Sequence, residues 1–190
     1  MYLWSDSTSL NFSSNASDIG GSFLLPTHYS YWKWCTCCWE TINGDICTME
    51  LAATLVGLAS GVGQHFTRLR LLWLTDSANS VINYNKGYGT SPEQTSVIAE
   101  LRSISIEFQF ELRLAWTKRE NIKRTDSLTR LSNKSFIAND TRAFLTPKGG
   151  DALEVLFPPN IDLDMPAVLG FRRNHSHAKN YELNRKRKRV

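Results

Sequence analysis

The segment from Arg68 to Asp76 constrains the fold most, because it contains the apolar run Leu71–Leu74 and ends in a carboxylate. A strand with so few polar positions is typical of the centre of a sheet that is covered on both faces. A carboxylate at the end of such a strand must be solvated, paired or bound to a metal ion. Asp76 therefore marks a candidate site at one end of a sheet.

The pattern of the first forty residues predicts three more strands, which turn-forming residues separate. Residues 2–7 predict a strand that ends close to Asp6, and the polar, Ser/Asn-rich segment Ser7–Asp18 predicts a long loop. Ser22–Leu25 and Tyr29–Glu40 are apolar and aromatic, which favours two further strands that form antiparallel hairpins with the first.

Thr48 is a predicted N-cap for a helix whose body, Met49–Val56, is almost entirely apolar. A helix that is apolar all round is buried on most sides. Glu50 is then an unusual residue in its first turn, although an acidic side chain there is also explained by the helix dipole.

The second half of the chain continues the alternation of helices and strands. Ser91, Pro92 and Gln94 together predict a helix start with a capping box. Phe110–Trp116 alternates as a strand does, and a basic loop and a last helix through Leu128 follow. The predicted order is three strands, a helix, a strand, helices, a strand and a helix, which is an α/β fold.

Charge divides the chain into two parts. Up to Leu131 there are 11 Lys/Arg against 12 Asp/Glu, whereas from Ser132 onward there are 11 against 6. We therefore expect a domain over residues 1–131 and a linker with a basic, poorly ordered tail over 132–190. The terminal run Arg185–Arg189 is either a nuclear-localisation or nucleic-acid-contacting segment or a solvated end.

The cysteines and the apolar runs indicate an intracellular protein. The spacing of Cys35, Cys37, Cys38 and Cys47 fits neither a tetrahedral zinc site nor a disulfide framework. The first residues do not resemble a secretory leader. The longest apolar run, Leu51–Val62, is too short to span a bilayer, so no membrane partner is expected.

Four blocks of sequence resemble the RNase H domain of retroelement reverse transcriptases, especially DIRS-type elements. The blocks are Trp4-Ser5-Asp6-Ser7, Thr48-Met49-Glu50-Leu51-Ala52-Ala53, Leu74-Thr75-Asp76-Ser77-Ala78-Asn79-Ser80-Val81, and Trp116-Thr117-Lys118-Arg119-Glu120 leading into Asp126-Ser127-Leu128-Thr129-Arg130. The resemblance spans roughly Tyr2 to Leu131, about two thirds of the chain, and the blocks follow the family's order.

The resemblance implies an RNase H-like fold, a mixed five-stranded sheet flanked by helices. It also implies a catalytic site of Asp6, Glu50, Asp76 and Asp126 that holds two Mg²⁺, with Mn²⁺ able to substitute. Asp6 would lie on the central strand and bridge both ions. The activity implied is hydrolysis of the RNA strand of RNA–DNA hybrids, and the expected wider context is a reverse transcriptase with a polymerase domain.

Several polar and basic residues are candidates for contacts to the hybrid, since backbone charge dominates duplex binding. They are Ser7, Asn79, Lys86, Lys118, Arg119, Lys123 and Arg124. The alternative reading is a solvated basic face without a ligand.

The last block departs from the family pattern and leaves other functions open. Lys118, Ile122 and Thr125 stand where the family usually carries Pro, Asn and Ala. Asp126 could instead form a surface ion pair. The alternatives are therefore a catalytically inactive RNase H-like module that binds nucleic acid or connects domains, and an integrase or resolvase on the same fold.

Overall fold

A mixed sheet forms the centre of the molecule in the computed structural model, which describes residues 12–25, 28–34, 45–61, 70–131, 154–155 and 162–163. Along the chain, the elements are β1 (Ser13–Ala16), β2 (Gly20–Leu24), β3 (His28–Trp34), α1 (Ile46–Gly61), β4 (Arg70–Thr75), α2 (Ala78–Lys86), α3 (Pro92–Glu107), β5 (Glu111–Trp116), a 3-10 turn (Arg119–Ile122), α4 (Lys123–Leu131), and the two-residue strands β6 (Glu154–Val155) and β7 (Asp162–Leu163).

The five main strands lie in the order β5-β4-β1-β2-β3. β1 and β2 are antiparallel, as are β2 and β3, whereas β4 is parallel to both β1 and β5. The predicted α/β architecture with a mixed five-stranded sheet and flanking helices is confirmed. β6 and β7, which belong to the segment predicted as linker and tail, both pair with β3 in parallel. The remainder of 132–190 lies outside the described residues.

The apolar segment before Asp76 forms β4, one strand away from the sheet edge. Its alternate residues Leu71 and Trp73 are buried, and its neighbours are β1 and β5. The opposite face of this strand is only half-buried at Leu72 and Leu74. The prediction of a strand is confirmed, but helices of the described part of the chain cover mainly one face of β4.

The prediction of a loop over Ser7–Asp18 is wrong for four residues, because Ser13–Ala16 forms β1 between β2 and β4. All four residues of β1 are buried although three are polar. A run of Ser and Asn is typical of loops, and only partners from distant segments make its burial favourable. The strand predicted over residues 2–7 lies outside the described residues.

One side of β1 is held by hydrogen bonds to the buried helix α1 and to β4. The Ser14 hydroxyl lies 2.8 Å from the Thr54 hydroxyl of α1, and it accepts a 2.9 Å hydrogen bond from the Trp73 indole nitrogen. These three polar groups therefore satisfy one another in the core.

The other side of the sheet binds α4 through a second set of hydroxyls. Ser13 on β1 bonds to Thr125, and the Ser22 hydroxyl on β2 donates to the Thr125 carbonyl at 2.8 Å. Ser22 also lies 2.6 Å from the Thr129 hydroxyl. α1 and α4 thus pack on opposite faces of the same two strands.

α1 begins one turn earlier than predicted, and its cap is Asp45. The Cys47 backbone N–H donates to the Asp45 carboxylate at 3.0 Å, and Thr48 hydrogen-bonds to the same side chain. The prediction of Thr48 as N-cap is wrong because a better acceptor precedes it. Glu50 consequently lies in the second turn, where the helix dipole no longer explains an acidic residue.

α3 begins as predicted at Ser91, whose side chain accepts a hydrogen bond from the Gln94 backbone N–H. The Gln94 side chain differs from a capping box, because its carbonyl oxygen accepts from the Thr90 N–H at 2.7 Å. No helix among the described residues combines the length and apolarity that a bilayer crossing needs.

We expect Ser14→Ala to lower the free energy of unfolding by about 1–3 kcal/mol, because the Trp73 indole and the Thr54 hydroxyl would lose a buried partner. Urea denaturation would measure this. Ser96→Ala, at an exposed position of α3, is the matched control and should change stability by less than about 0.5 kcal/mol. Equal effects of the two substitutions would contradict the role assigned to Ser14.

Candidate functional site

The ends of β1 and β4 bring together residues that are far apart in the sequence. The two strands are parallel, with Ser13 opposite Leu74, so that Asn15 and Ala16 lie level with the residues that follow β4. Asp76 is the first residue after β4. The parallel pairing therefore places Asn15 and Asp76 at one end of the sheet.

Glu50 reaches this end of the sheet from α1. One of its carboxylate oxygens accepts a 3.0 Å hydrogen bond from the Ala16 backbone N–H, and the other lies 3.4 Å from the Thr75 hydroxyl. The residue is only 4% exposed. Glu50 is thus a buried acid directly beside the ends of both strands.

Burial changes the protonation of Glu50. Its pKa is raised to about 8, chiefly by desolvation and also by the negative charge of Asp76, whereas the hydrogen bonds from Ala16 and Thr75 and the charge of Arg119 act in the opposite direction. At neutral pH, Glu50 is therefore mostly a neutral carboxylic acid when no metal ion is bound.

Asp126 approaches from the opposite face of the sheet, on α4. It accepts a 3.2 Å hydrogen bond from the Asn15 side-chain amide and a 2.7 Å hydrogen bond from Arg130, one turn further along the helix. Asn15 lies on the central strand, with Glu50 on one side and Asp126 on the other.

Arg119, in the 3-10 turn, lies between two of the carboxylates. Its Nε is 2.8 Å from a carboxylate oxygen of Asp76 and 3.9 Å from one of Asp126. The hydrogen bond and the charge of Asp76 raise the pKa of Arg119. A protein cation therefore lies against two of the four carboxylates that the sequence predicted as metal ligands.

The structure brings together three of the four predicted acids: Glu50, Asp76 and Asp126. Asp6 lies outside the described residues, so its role stays a prediction. The central strand that the resemblance assigned to Asp6 is β1, and the residue of β1 that contacts Asp126 is Asn15. Asp126 also forms the surface ion pair considered from the sequence, with Arg130.

The sequence prediction missed Asn15, although the sequence contains a signal for it. Gly20 and Gly21 begin β2, and the short connection at residues 17–19 joins it to β1. A short turn before a strand indicates a hairpin, and a hairpin requires a strand immediately upstream. The polar composition of β1 concealed this.

The predicted nucleic-acid contacts fall into two groups. Lys118, Arg119 and Lys123 are exposed and Arg124 is half-buried; we call residues 118–124 the basic turn. Asn79 is exposed in the first turn of α2, near Asp76, whereas Lys86 ends that helix, about 10 Å further along its axis. Ser7 lies outside the described residues.

The described residues do not fit a two-ion site as they stand. Among them, no three acidic, His or Cys side chains are close enough to enclose a metal ion. Mg²⁺ takes oxygen ligands, which Asp76 and Asp126 could supply, but Arg119 binds both. The side-chain oxygen of Asn15 is buried without a hydrogen-bond partner, so one neutral oxygen ligand is available.

Comparison with known proteins does not identify the chain: no family model matches it, and no curated protein or solved structure matches it either.

We expect the stability of the metal-free protein to fall as pH rises from about 4.5 to about 8, and Glu50→Gln to remove this slope. The folded protein keeps the Glu50 proton over this window whereas the unfolded chain releases it, so the contribution is complete below about pH 4.5 and is lost as pH passes 8. Urea unfolding in EDTA at several pH values would measure this. Glu120→Gln, which removes an exposed acid, is the control and should keep the slope. If the stability of Glu50→Gln changed with pH as the stability of the wild type does, the raised pKa assigned to Glu50 would be contradicted.

We expect Arg119→Gln to increase Mn²⁺ affinity about tenfold, because it removes the cation bound to Asp76 and Asp126, and a coupling of this size is about 1.4 kcal/mol. Isothermal titration calorimetry with Mn²⁺ alone would measure the change. Lys123→Gln, at an exposed position, removes the same charge from the basic turn and is the matched control. An equal gain in both variants would show that only net charge matters.

Proposed function

We propose that the protein is an RNase H-like module of a retroelement reverse transcriptase that binds RNA–DNA hybrids but cleaves them weakly or not at all. The observation that carries this proposal is Asn15, a neutral amide on the central strand, where the resemblance requires a carboxylate that bridges two ions. The protein would act inside the cell, together with a polymerase domain.

The fold supports the RNase H-like part of the proposal. The sheet has three antiparallel strands followed by two parallel ones, and α1 and α4 cover opposite faces of its centre. Glu50, Asp76 and Asp126 come from α1, β4 and α4, which are the kinds of element that the resemblance implies. This agreement covers three separate segments of the chain.

Electrostatics support the loss of cleavage. Two-ion hydrolysis depends on a cluster of carboxylates whose mutual repulsion the ions relieve. Here Asn15 is neutral, burial favours the protonated form of Glu50, and Asp76 and Asp126 form ion pairs with Arg119 and Arg130. The negative charge that would attract two divalent ions is therefore largely absent from the described site.

The basic turn supports the binding of nucleic acid. It contains four cations and one acid, Glu120, and its Arg119 contacts Asp76 and Asp126. Contacts from Lys and Arg to phosphates supply most of the sequence-independent affinity for a duplex. Recognition of RNA in a hybrid would rely on 2′-hydroxyls and groove shape rather than base sequence.

An active, Mg²⁺-dependent ribonuclease H is the second candidate. The convergence of Glu50, Asp76 and Asp126 favours it, as does the unpaired oxygen of Asn15, which is an acceptable ligand for a hard cation. This candidate requires Asn15 to replace a carboxylate ligand, or a further acid such as Asp6 to supply one.

We expect the wild-type protein to bind a labelled RNA–DNA hybrid without cutting it, and Asn15→Asp to increase Mg²⁺-dependent cleavage at least about 100-fold, the scale on which removing a preorganised charge affects catalysis. Gel assays of cleavage and anisotropy assays of binding would measure the two properties. The double variant Asn15→Asp with Asp126→Asn is the control and should not cleave.

The same assays separate the two candidates. Efficient wild-type cleavage that Asp126→Asn abolishes would overturn the proposal in favour of the active nuclease. If Asp6→Asn also abolished that cleavage, the fourth ligand would be Asp6, as the sequence predicts. Absence of hybrid binding by the wild type would exclude both candidates.

A further inference from the structure

Trp116 is an exposed aromatic residue directly beside the acidic site. It ends β5, the edge strand next to β4, and 53% of its surface is exposed. The other described tryptophans are buried: Trp32 and Trp73 are fully enclosed, and Trp34 is 7% exposed. Trp116 is thus a large apolar ring that the core does not use.

The Trp116 ring is held in place rather than free to rotate. Its indole nitrogen donates a 3.2 Å hydrogen bond to the backbone carbonyl of Asp76. The next residue, Thr117, extends the pairing of β5 with β4 by a 2.9 Å bond to the Thr75 carbonyl. The ring is therefore fixed relative to the residue that carries a carboxylate of the site.

Positive charge lies next to this ring. Asp76 accepts one hydrogen bond from Trp116 through its backbone carbonyl and another from Arg119 through its carboxylate. Lys118, which lies between Trp116 and Arg119 in the sequence, is exposed. A fixed aromatic face beside cations is the arrangement that binds nucleic-acid bases by stacking while the cations contact phosphates. This charge favours a nucleic-acid strand over an apolar protein surface.

We propose that Trp116 is a stacking platform for an unpaired nucleobase of a strand that leaves the hybrid next to the acidic site. Bases inside a duplex already stack on their neighbours, so an external ring can stack only on an unpaired or terminal base. The ligand is therefore a hybrid with a single-stranded extension. This proposal rests on the proposed function and adds to it a preference for hybrids that carry a single-stranded extension.

The proposal predicts a preference for extended hybrids that depends on the aromatic ring. Fluorescence anisotropy would compare a blunt RNA–DNA hybrid with the same hybrid carrying a single-stranded extension. We expect the wild type to bind the extended form about tenfold more tightly, the scale of stacking one base on an aromatic side chain. Trp116→Ala should lose the preference, whereas Trp116→Phe, which keeps a ring without the indole N–H, should retain most of it.

Ile106→Ala is the matched control, because it removes an exposed apolar side chain of α3 without changing the site. It should leave both affinities unchanged, and urea unfolding should show that every variant is folded. Loss of the preference in both Trp116→Ala and Trp116→Phe would overturn stacking in favour of a structural role of the hydrogen bond to Asp76.

The remaining outcomes distinguish this proposal from the proposed function. Equal binding of blunt and extended hybrids by the wild type would overturn the platform and leave hybrid binding standing. Failure of the wild type to bind either hybrid would overturn the proposed function and the platform with it.

Discussion

The burial of the polar strand β1 is the constraint on which the rest of the structure depends. Its hydroxyls would be costly in the core without partners, and the partners come from elements on both faces of the sheet. Ser14 pairs with Thr54 of α1, and Ser13 pairs with Thr125 of α4. These bonds fix the two helices relative to the strand, and with them the acids that each helix carries.

The electrostatics of the site follow from that placement. α1 holds Glu50 in a buried position, where desolvation favours the protonated form of its side chain. The side-chain amide of Asn15, between α1 and α4, is uncharged. Arg119 and Arg130 then form ion pairs with Asp76 and Asp126. A site with so little net negative charge repels an incoming phosphate weakly, and the proposed binding of nucleic acid rests on this property.

The proposed stacking residue Trp116 and the acidic site share one end of the sheet because β4 and β5 end together. The residue after β4 supplies both a carboxylate for Arg119 and a carbonyl for the Trp116 indole. The chain then turns directly into the basic turn and α4. A strand of nucleic acid that contacts these cations would therefore pass next to the exposed ring and the central strand.

Elements with their own apolar pattern could be predicted from the sequence: β4, β5, α3 with its Ser91 cap, the order of the elements, and the acids Glu50, Asp76 and Asp126. Local periodicity and caps encode such elements, because each contains the residues that it buries. β1 could not be predicted in this way, because the hydrogen-bond partners that make its burial favourable are as far as 114 positions away along the chain. Only the tertiary structure decided that a Ser/Asn-rich segment becomes the middle one of the five main strands. It also decided that Asn15 and Arg119 lie beside the predicted acidic residues.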